Sequence, residues 1–281
     1  MRKSKAEIVI TSLDCLDVAV AAAEENGISA NNIFVLDTST QSVPPTSQRW
    51  TDLLQYGESD WNRFDDEITA KQTIAGLFTT SGTTGLPKMA ARSHYSLVAE
   101  NFAIHDSQPH QVRCYHTMFI SSLADHPYYQ SRRLATLPFF HAFGSALVLV
   151  DALRHGCPTY IMRRFQQRQF LDAVERFNIT ETAMVPPLLL GMLSYSPQDQ
   201  AKLGRLETVH CAGSPLDLTV QAHASKLFAP AARIVQVWGM TECGWISTFK
   251  YPEDDATGSV GRLLPGFEAR LVCLSQTKST V

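Results

Sequence analysis

Residues 79–88 read Thr-Thr-Ser-Gly-Thr-Thr-Gly-Leu-Pro-Lys, so five hydroxyls, two glycines and a lysine crowd into ten positions. They directly follow a short apolar run, residues 73–78, that has the character of a buried strand. Glycine lets the backbone turn tightly and present its N–H groups to an anion, serine and threonine add O–H donors, and lysine supplies a full positive charge. A polyphosphate, and hence a nucleotide, is the natural guest. The P-loop signature also ends in lysine, but it requires glycine before that lysine and a hydroxyl after it. Here Pro87 precedes Lys88 and Met89 follows, which stops the backbone curling onto phosphate and leaves no hydroxyl for magnesium. A flexible Ser/Thr/Gly linker is the other reading, and the preceding strand and the Leu-Pro-Lys ending count against it.

A second group with chemical potential is Thr241 and Glu242, just past an expected strand at 234–237. A hydroxyl and a carboxylate there could face a phosphate and a Mg²⁺ ion, which prefers oxygen ligands. His110, Cys114 and His116 could suggest a metal, but their spacing fits no standard zinc pattern. The Gly-x-Ser-x-Gly elbow of a serine hydrolase does not occur.

The 79–88 loop resembles the phosphate-binding signature of the adenylate-forming superfamily, which includes acyl-CoA synthetases, 4-coumarate-CoA ligases, luciferase and the adenylation domains of peptide synthetases. Three more segments fall in the order that superfamily requires: Leu-Pro-Phe-Phe-His-Ala-Phe-Gly at 137–144, Cys-Ala-Gly-Ser-Pro-Leu at 211–216 and Gln-Val-Trp-Gly-Met-Thr-Glu at 236–242. Smaller echoes lie at 184–188, 258–262 and 265–266. The likeness runs from about residue 6 to about residue 272 and is nearest to the acyl-CoA and coumarate ligase branch.

The resemblance implies ATP-dependent activation of a carboxylic acid to an acyl-adenylate and its transfer to CoA, with ATP, Mg²⁺ and CoA as the small molecules used, in fatty, aromatic or specialised acid metabolism. By it, Thr80, Ser81, Gly82, Thr83, Thr84 and Lys88 hold the β- and γ-phosphates. Thr241 reaches the α-phosphate and Glu242 holds Mg²⁺. Trp238 stands where relatives carry tyrosine and can still offer a flat face to adenine. Gly213, Ser214 and Pro215 line the adenine and acyl pockets, and Gln236 borders them. His141 faces the acid and helps orient its carboxylate, with Phe143 and Gly239 beside the same substrate. Arg164 falls where coumarate ligases place a CoA-contacting lysine.

The chain also departs from the pattern. A Thr-Gly-Asp motif that grips the ribose, and a small C-terminal lid domain with its catalytic lysine, are expected to be absent; Met89 replaces a glycine. The expected organisation is a partial large N-terminal adenylation domain over 1–272 and a divergent tail over 273–281. The alternative to a ligase, one compromised by truncation, is a non-catalytic nucleotide- or partner-binding remnant.

The elements that must position these residues alternate between strand and helix. Strands are expected at 7–11, 32–36, 73–78, 133–137, 159–162, 181–185, 208–211 and 234–237; helices are expected at 14–26, 50–54, 93–104, 143–155, 170–177 and 216–227. Such alternation predicts an α/β fold, a mainly parallel sheet covered by helices with ligands at the strand ends. With 281 residues, 44% of them hydrophobic, a substantial core is affordable in area, and a formal charge of −3 gives no general pull toward nucleic acid or anionic membrane. Six cysteines without a Cys-x-x-Cys pair, and no secretory or Ser-Lys-Leu signal, point to the cytoplasm. Oligomeric state is not encoded in any feature of the sequence.

Overall fold

The computed structural model describes residues 4–36, 43–45, 47–80, 88–107, 131–255 and 257–272, without the side chains of 149, 150 and 155. Contacts divide the chain into two compact units, Met1–Ala70 with Thr79–Met89, and Lys71–Phe78 with Ala90–Val281.

The first unit carries a three-stranded parallel sheet in the order β1 (Val9–Ser12), β2 (Ile33–Leu36), β3 (Gln48–Arg49). The helix Leu16–Glu25 joins β1 to β2 and buries Ala19 and Ala23. It ends where Gly27 takes a φ of +69°, a conformation costly to any residue with a Cβ. This is the βαβ unit expected from the sequence.

Two strands, β4 (Ile74–Thr80) and β5 (Lys88–Ser93), pair in a sheet of their own. Thr79 and Thr80 therefore complete a strand and do not begin the loop. β5 escaped the sequence reading because one of its inward positions is Arg92, whose charge breaks the apolar alternation.

The second unit is organised on a five-stranded parallel sheet formed by β6 (Arg133–Ala135), β7 (Thr159–Ile161), β8 (Glu181–Met184), β9 (Thr208–Cys211) and β10 (Arg233–Gln236). Their order across the sheet is β10-β9-β8-β6-β7. The chain thus steps outward from β6 to β7 and returns to the other side of β6 to lay down β8. In such sheets the crevice beyond the carboxyl ends, where the order reverses, is the place a ligand can enter.

Both faces are covered. On one, Leu134, Met184, Val209 and Cys211 meet Phe170, Leu171 and Val174 of the helix Gln167–Arg176 and Leu189 and Met192 of the helix Pro186–Met192. On the other, Ala183 and Ala212 meet Ile104 of the helix His94–Ser107, Leu147 of the helix over 142–155, and Trp245. The switch of face between Ala183 and Met184 is the two-residue period of a strand. Each large buried side chain contributes about 1.5–3 kcal/mol. The helix over 142–155 has an α-helical turn at Ala142–Ser145, a π-helical stretch at Ala146–Asp151 and a closing turn at Ala152–His155.

One charged cluster lies inside this core. Arg133, 1% exposed, reaches Asp151 at 3.0 Å and Glu181 at 2.7 Å, and also donates to the carbonyl of Leu147. His210 Nε2 lies 3.3 Å from Glu181 Oε1, and the Ser131 hydroxyl donates to Glu181. Burial opposes the Glu181 charge, but Arg133, His210 and Ser131 outweigh it and hold the carboxyl well below its usual value. Burial likewise opposes the charge on Arg133, and Glu181 and Asp151 overcome it.

Two helices, Pro186–Met192 and Pro197–Lys202, fall outside the sequence expectation because their prolines read as breaks. In both, proline stands in the first turn, where no N–H is needed. A three-stranded antiparallel sheet was also missed: β11 (Trp238–Met240), β12 (Gly244–Thr248) and β13 (Arg262–Leu263). No helix among the described residues is long and apolar enough to cross a membrane.

Replacing Arg133 with leucine should leave Asp151 and Glu181 buried without their countercharge and cost about 3–5 kcal/mol in denaturant unfolding. Because the folded Glu181 pKa is depressed, its contribution is present above the unfolded value, about pH 4.5, and is lost as pH falls below it. The acid side of the stability profile should therefore flatten in Glu181→Gln relative to the parent.

Candidate active site at the carboxyl edge of the sheet

The residues singled out in the second unit converge on one edge of the five-stranded sheet. β6 runs into residues 136–141, β8 into Val185, β9 into residues 212–216 and β10 into Val237 and β11. Cys211 pairs in register with Gln236 and with Met184, so the three neighbouring exits leave at the same level.

After β6 the chain folds back sharply enough that a Cβ on Gly144 would meet the Pro138 carbonyl oxygen at 2.8 Å. His141 caps the helix that follows: its Nδ1 accepts from the Phe143 N–H at 3.2 Å. Acceptance at Nδ1 places the ring proton on Nε2, and the residue is exposed, leaving a donor toward solvent. Phe143, expected beside the substrate, is buried with its ring 5.7 Å from that of Trp245.

After β9, Gly213 adopts a φ of +97° with its absent Cβ 3.4 Å from Val185 Cγ1, so this turn sits close to the β8 exit. Gly213, Ser214 and Pro215 are exposed. Gln236, expected to border the ligand pockets, is 3% exposed, and its carboxamide is used internally. It accepts from the Leu216 N–H at 3.3 Å and donates to Gln221 at 3.2 Å, pinning the 213–215 turn to β10.

Thr241 and Glu242 occupy the turn that joins β11 to β12, a hairpin. Trp238, Gly239, Met240 and Glu242 are exposed and Thr241 is half-buried. A Cβ on Gly239 would meet the Gly244 carbonyl oxygen at 2.6 Å, so the two arms close on each other at that position.

The base of the hairpin is held by residues the sequence did not flag. Glu100, 7% exposed, pairs with Arg92 at 3.0 Å and accepts from the Trp245 N–H at 2.9 Å. Burial lifts the Glu100 carboxyl above its ordinary value, and Arg92 together with the Trp245 amide pulls it back. Gly244 has a φ of +78°, and a Cβ there would fall 2.0 Å from Glu100 Oε1. A buried Arg/Glu pair eight residues apart in a strand-helix junction was the available signal.

A cavity of about 360 Å³ lies beside the β6 exit, lined among the described residues by Phe78, Leu97, Glu100, Asn101, Phe139, Phe140, Ser145 and Ala146. Arg164 is exposed shortly after β7. Cys211 is buried, which pushes its thiol up to about 12 and removes it as a nucleophile.

Of the expected phosphate loop, Thr80 closes β4 and Lys88 opens β5 with an exposed side chain; Ser81, Gly82, Thr83 and Thr84 lie outside the described residues, as do His110, Cys114 and His116. Among the described residues no group of three or more His, Cys, Asp or Glu side chains could by itself hold a metal ion. The exposed Glu242 carboxylate with the Thr241 hydroxyl beside it fits Mg²⁺, which commonly takes one or two protein oxygens and completes its shell with water and substrate phosphate.

The profile of the AMP-binding enzyme family matches residues 1–278. The chain belongs to the AMP-binding enzyme family. It is 40% identical over 277 residues to the phenylacetyl-CoA ligase epaB of Aspergillus niger, a match covering 97% of this chain and 48% of that protein. The chain thus spans about half the length of the curated relatives it matches. Among solved structures, the luciferase-like enzyme from Zophobas morio superposes with a TM-score of 0.70 at 19% identity, over 92% of this chain and 56% of that one. The N-terminal domain of FACL13 from Mycobacterium tuberculosis superposes with a TM-score of 0.62 at 20% identity, over 94% and 58%. At these identities the likeness establishes the fold alone.

Substituting Gly244 with alanine should force the hairpin off Glu100 and destabilise the protein by about 1–3 kcal/mol, with faster hydrogen exchange at the Trp245 amide. The same change at Gly191, where nothing lies within 4 Å, should be close to neutral.

Proposed function

We propose that this chain carries the acid-activating part of an ATP-dependent carboxylic acid:CoA ligase, which joins a carboxylate to the α-phosphate of ATP, expels pyrophosphate and passes the acyl group to CoA. The observation that carries this reading is the division of labour at the carboxyl edge. Gln236, Glu100 and Arg92 are buried and bonded to interior partners, whereas His141, Gly213, Ser214, Pro215, Trp238, Gly239 and Glu242 are exposed at neighbouring strand exits. Membership of the AMP-binding family and the names of relatives such as the phenylacetyl-CoA ligase support it.

In this reading Thr80, Ser81, Gly82, Thr83, Thr84 and Lys88 cradle the β- and γ-phosphates, and backbone N–H groups, hydroxyls and the ammonium disperse their charge. Adenine packs between the 213–215 turn and the Trp238 face. Thr241 donates to the α-phosphate. Glu242 is the protein ligand for Mg²⁺, which supplies charge neutralisation when bound. His141 offers its Nε2–H to the acid carboxylate and so orients the attacking oxygen, with Phe143 behind it supporting the capped helix start and Gly239 beside the acyl group. Arg164 is assigned to CoA.

The test is acid-dependent exchange of labelled pyrophosphate into ATP by the purified chain. Lys88→Ala and Glu242→Ala should each lower exchange by about 10²-fold or more while leaving the fold intact by circular dichroism. Retained ATP binding without exchange for any acid would replace this reading with a non-catalytic nucleotide-binding protein.

A further inference from the structure

Two buried carboxamides stand in line between the turn at 213–215 and the loop that follows β12. The Leu216 N–H donates to Gln236 Oε1 at 3.3 Å, Gln236 Nε2 donates to Gln221 Oε1 at 3.2 Å, and Gln221 Nε2 donates to the Asp255 carbonyl at 2.8 Å. Gln221, on the helix Leu218–Ala224, is 8% exposed. The two ends fix the polarity of the line. A backbone N–H can only donate and a backbone carbonyl can only accept, so each amide has one orientation that satisfies both of its neighbours. Turning either amide over sets donor against donor on one side and acceptor against acceptor on the other, and leaves buried polar groups unpaired.

The far end is tied down in turn. The Asp255 carboxylate accepts from the Thr257 N–H at 3.1 Å, the Thr257 hydroxyl at 2.7 Å and the Ser259 N–H at 3.0 Å, which closes the loop on itself. The loop lies against the same helix, since a Cβ on Gly258 would meet Leu218 Cδ2 at 3.1 Å. The next carbonyl but one, that of Val260, accepts from the Ser247 hydroxyl at 2.8 Å, and Ser247 is the cross-strand partner of Trp238. The line therefore starts at one surface assigned above to adenine, the 213–215 turn, and ends on the strand that pairs with the other, Trp238. Nothing in the sequence around Gln221 marks it, because its partners lie 15 and 34 positions away.

We propose that Gln221 is a positioning residue for the nucleobase: by holding the Gln236 amide in its one orientation, it sets the 213–215 turn against the Trp238 face. The proposal rests on the placement of the nucleotide in the ligase reading above. Gln221 acts through Gln236 at one end and Asp255 at the other, and touches no substrate itself. The β- and γ-phosphates are held by other residues in that reading, so loss of Gln221 weakens the grip on the base and spares the grip on the phosphates.

Two probes separate these grips: ATP, and inorganic tripolyphosphate, which lacks the nucleoside, each titrated calorimetrically with Mg²⁺ into the full chain. In Gln221→Leu, ATP should bind about tenfold more weakly, a factor that two ordinary hydrogen bonds can supply, while tripolyphosphate binding stays unchanged. In pyrophosphate exchange the same variant should raise KM for ATP and leave kcat and the KM for acid near those of the parent. Gln221→Glu guards against a leucine variant that fails to fold. As a neutral acid it offers the same acceptor and donor as the amide, whereas its carboxylate cannot donate to Asp255, so its ATP defect relative to the parent should be small at low pH and grow as pH rises. Equal weakening of ATP and tripolyphosphate, parental ATP binding in both variants, or a Gln221→Glu defect that does not change with pH would overturn the role of Gln221 and leave the ligase reading standing. An ATP-selective defect in a chain that supports no exchange with any acid would overturn the ligase reading and keep Gln221 as the residue that places the base. Failure of the parent to bind ATP would overturn both.

Discussion

A buried guanidinium holds the second unit together. Arg133 sits in the first strand of the parallel sheet and binds Glu181 on the adjacent strand and Asp151 on the helix that leaves the β6 exit. That helix, β6 and β8 are the three elements around the reversal of strand order, so one side chain fixes the frame in which the crevice opens. Such a cluster adds little net stability over a well-packed apolar core, but any single member left alone in it is strongly unfavourable. Its value lies in requiring one arrangement of strand and helix, and the exits that carry His141 and Val185 inherit that arrangement.

A second charged pair does the same for the other side of the site. Arg92 and Glu100 come from the strand-helix segment after the expected phosphate loop, and Glu100 holds the backbone of Trp245 at the base of the hairpin bearing Thr241 and Glu242. The outward-facing residues are therefore mounted on turns whose feet are locked by buried charge and by glycines that admit close approach. The result is rigid support beneath exposed chemistry, a common requirement for sites that must position two reactants.

Much of this was legible in the residues. The strand Thr208–Cys211 was read with correct bounds, and the 137–144, 211–216 and 236–242 segments were expected at strand ends and are found there. What escaped has physical causes. Arg92 disguised β5 because a paired charge can occupy an inward position, and Pro186 and Pro197 disguised helix starts. The hairpin around Thr241 escaped because its arms contain glycines and exposed residues, and their pairing is visible only once distant backbone is brought alongside. The role of Glu100 was hidden for the same reason, since it contacts Trp245, 145 positions away.

The π-helical stretch at Ala146–Asp151 couples the cavity wall to the buried cluster, since Ala146 lines the cavity, Leu147 offers its carbonyl to Arg133, and Asp151 receives the guanidinium. A wide turn of this kind accommodates one more residue than an α-helical turn does. Loss of one residue there would close it to an α-helical turn and leave Asp151 near its present face; loss of a second would swing everything beyond it by about 100° and turn Asp151 away from Arg133. The segment can therefore absorb a change of one residue in chain length without giving up the core charge.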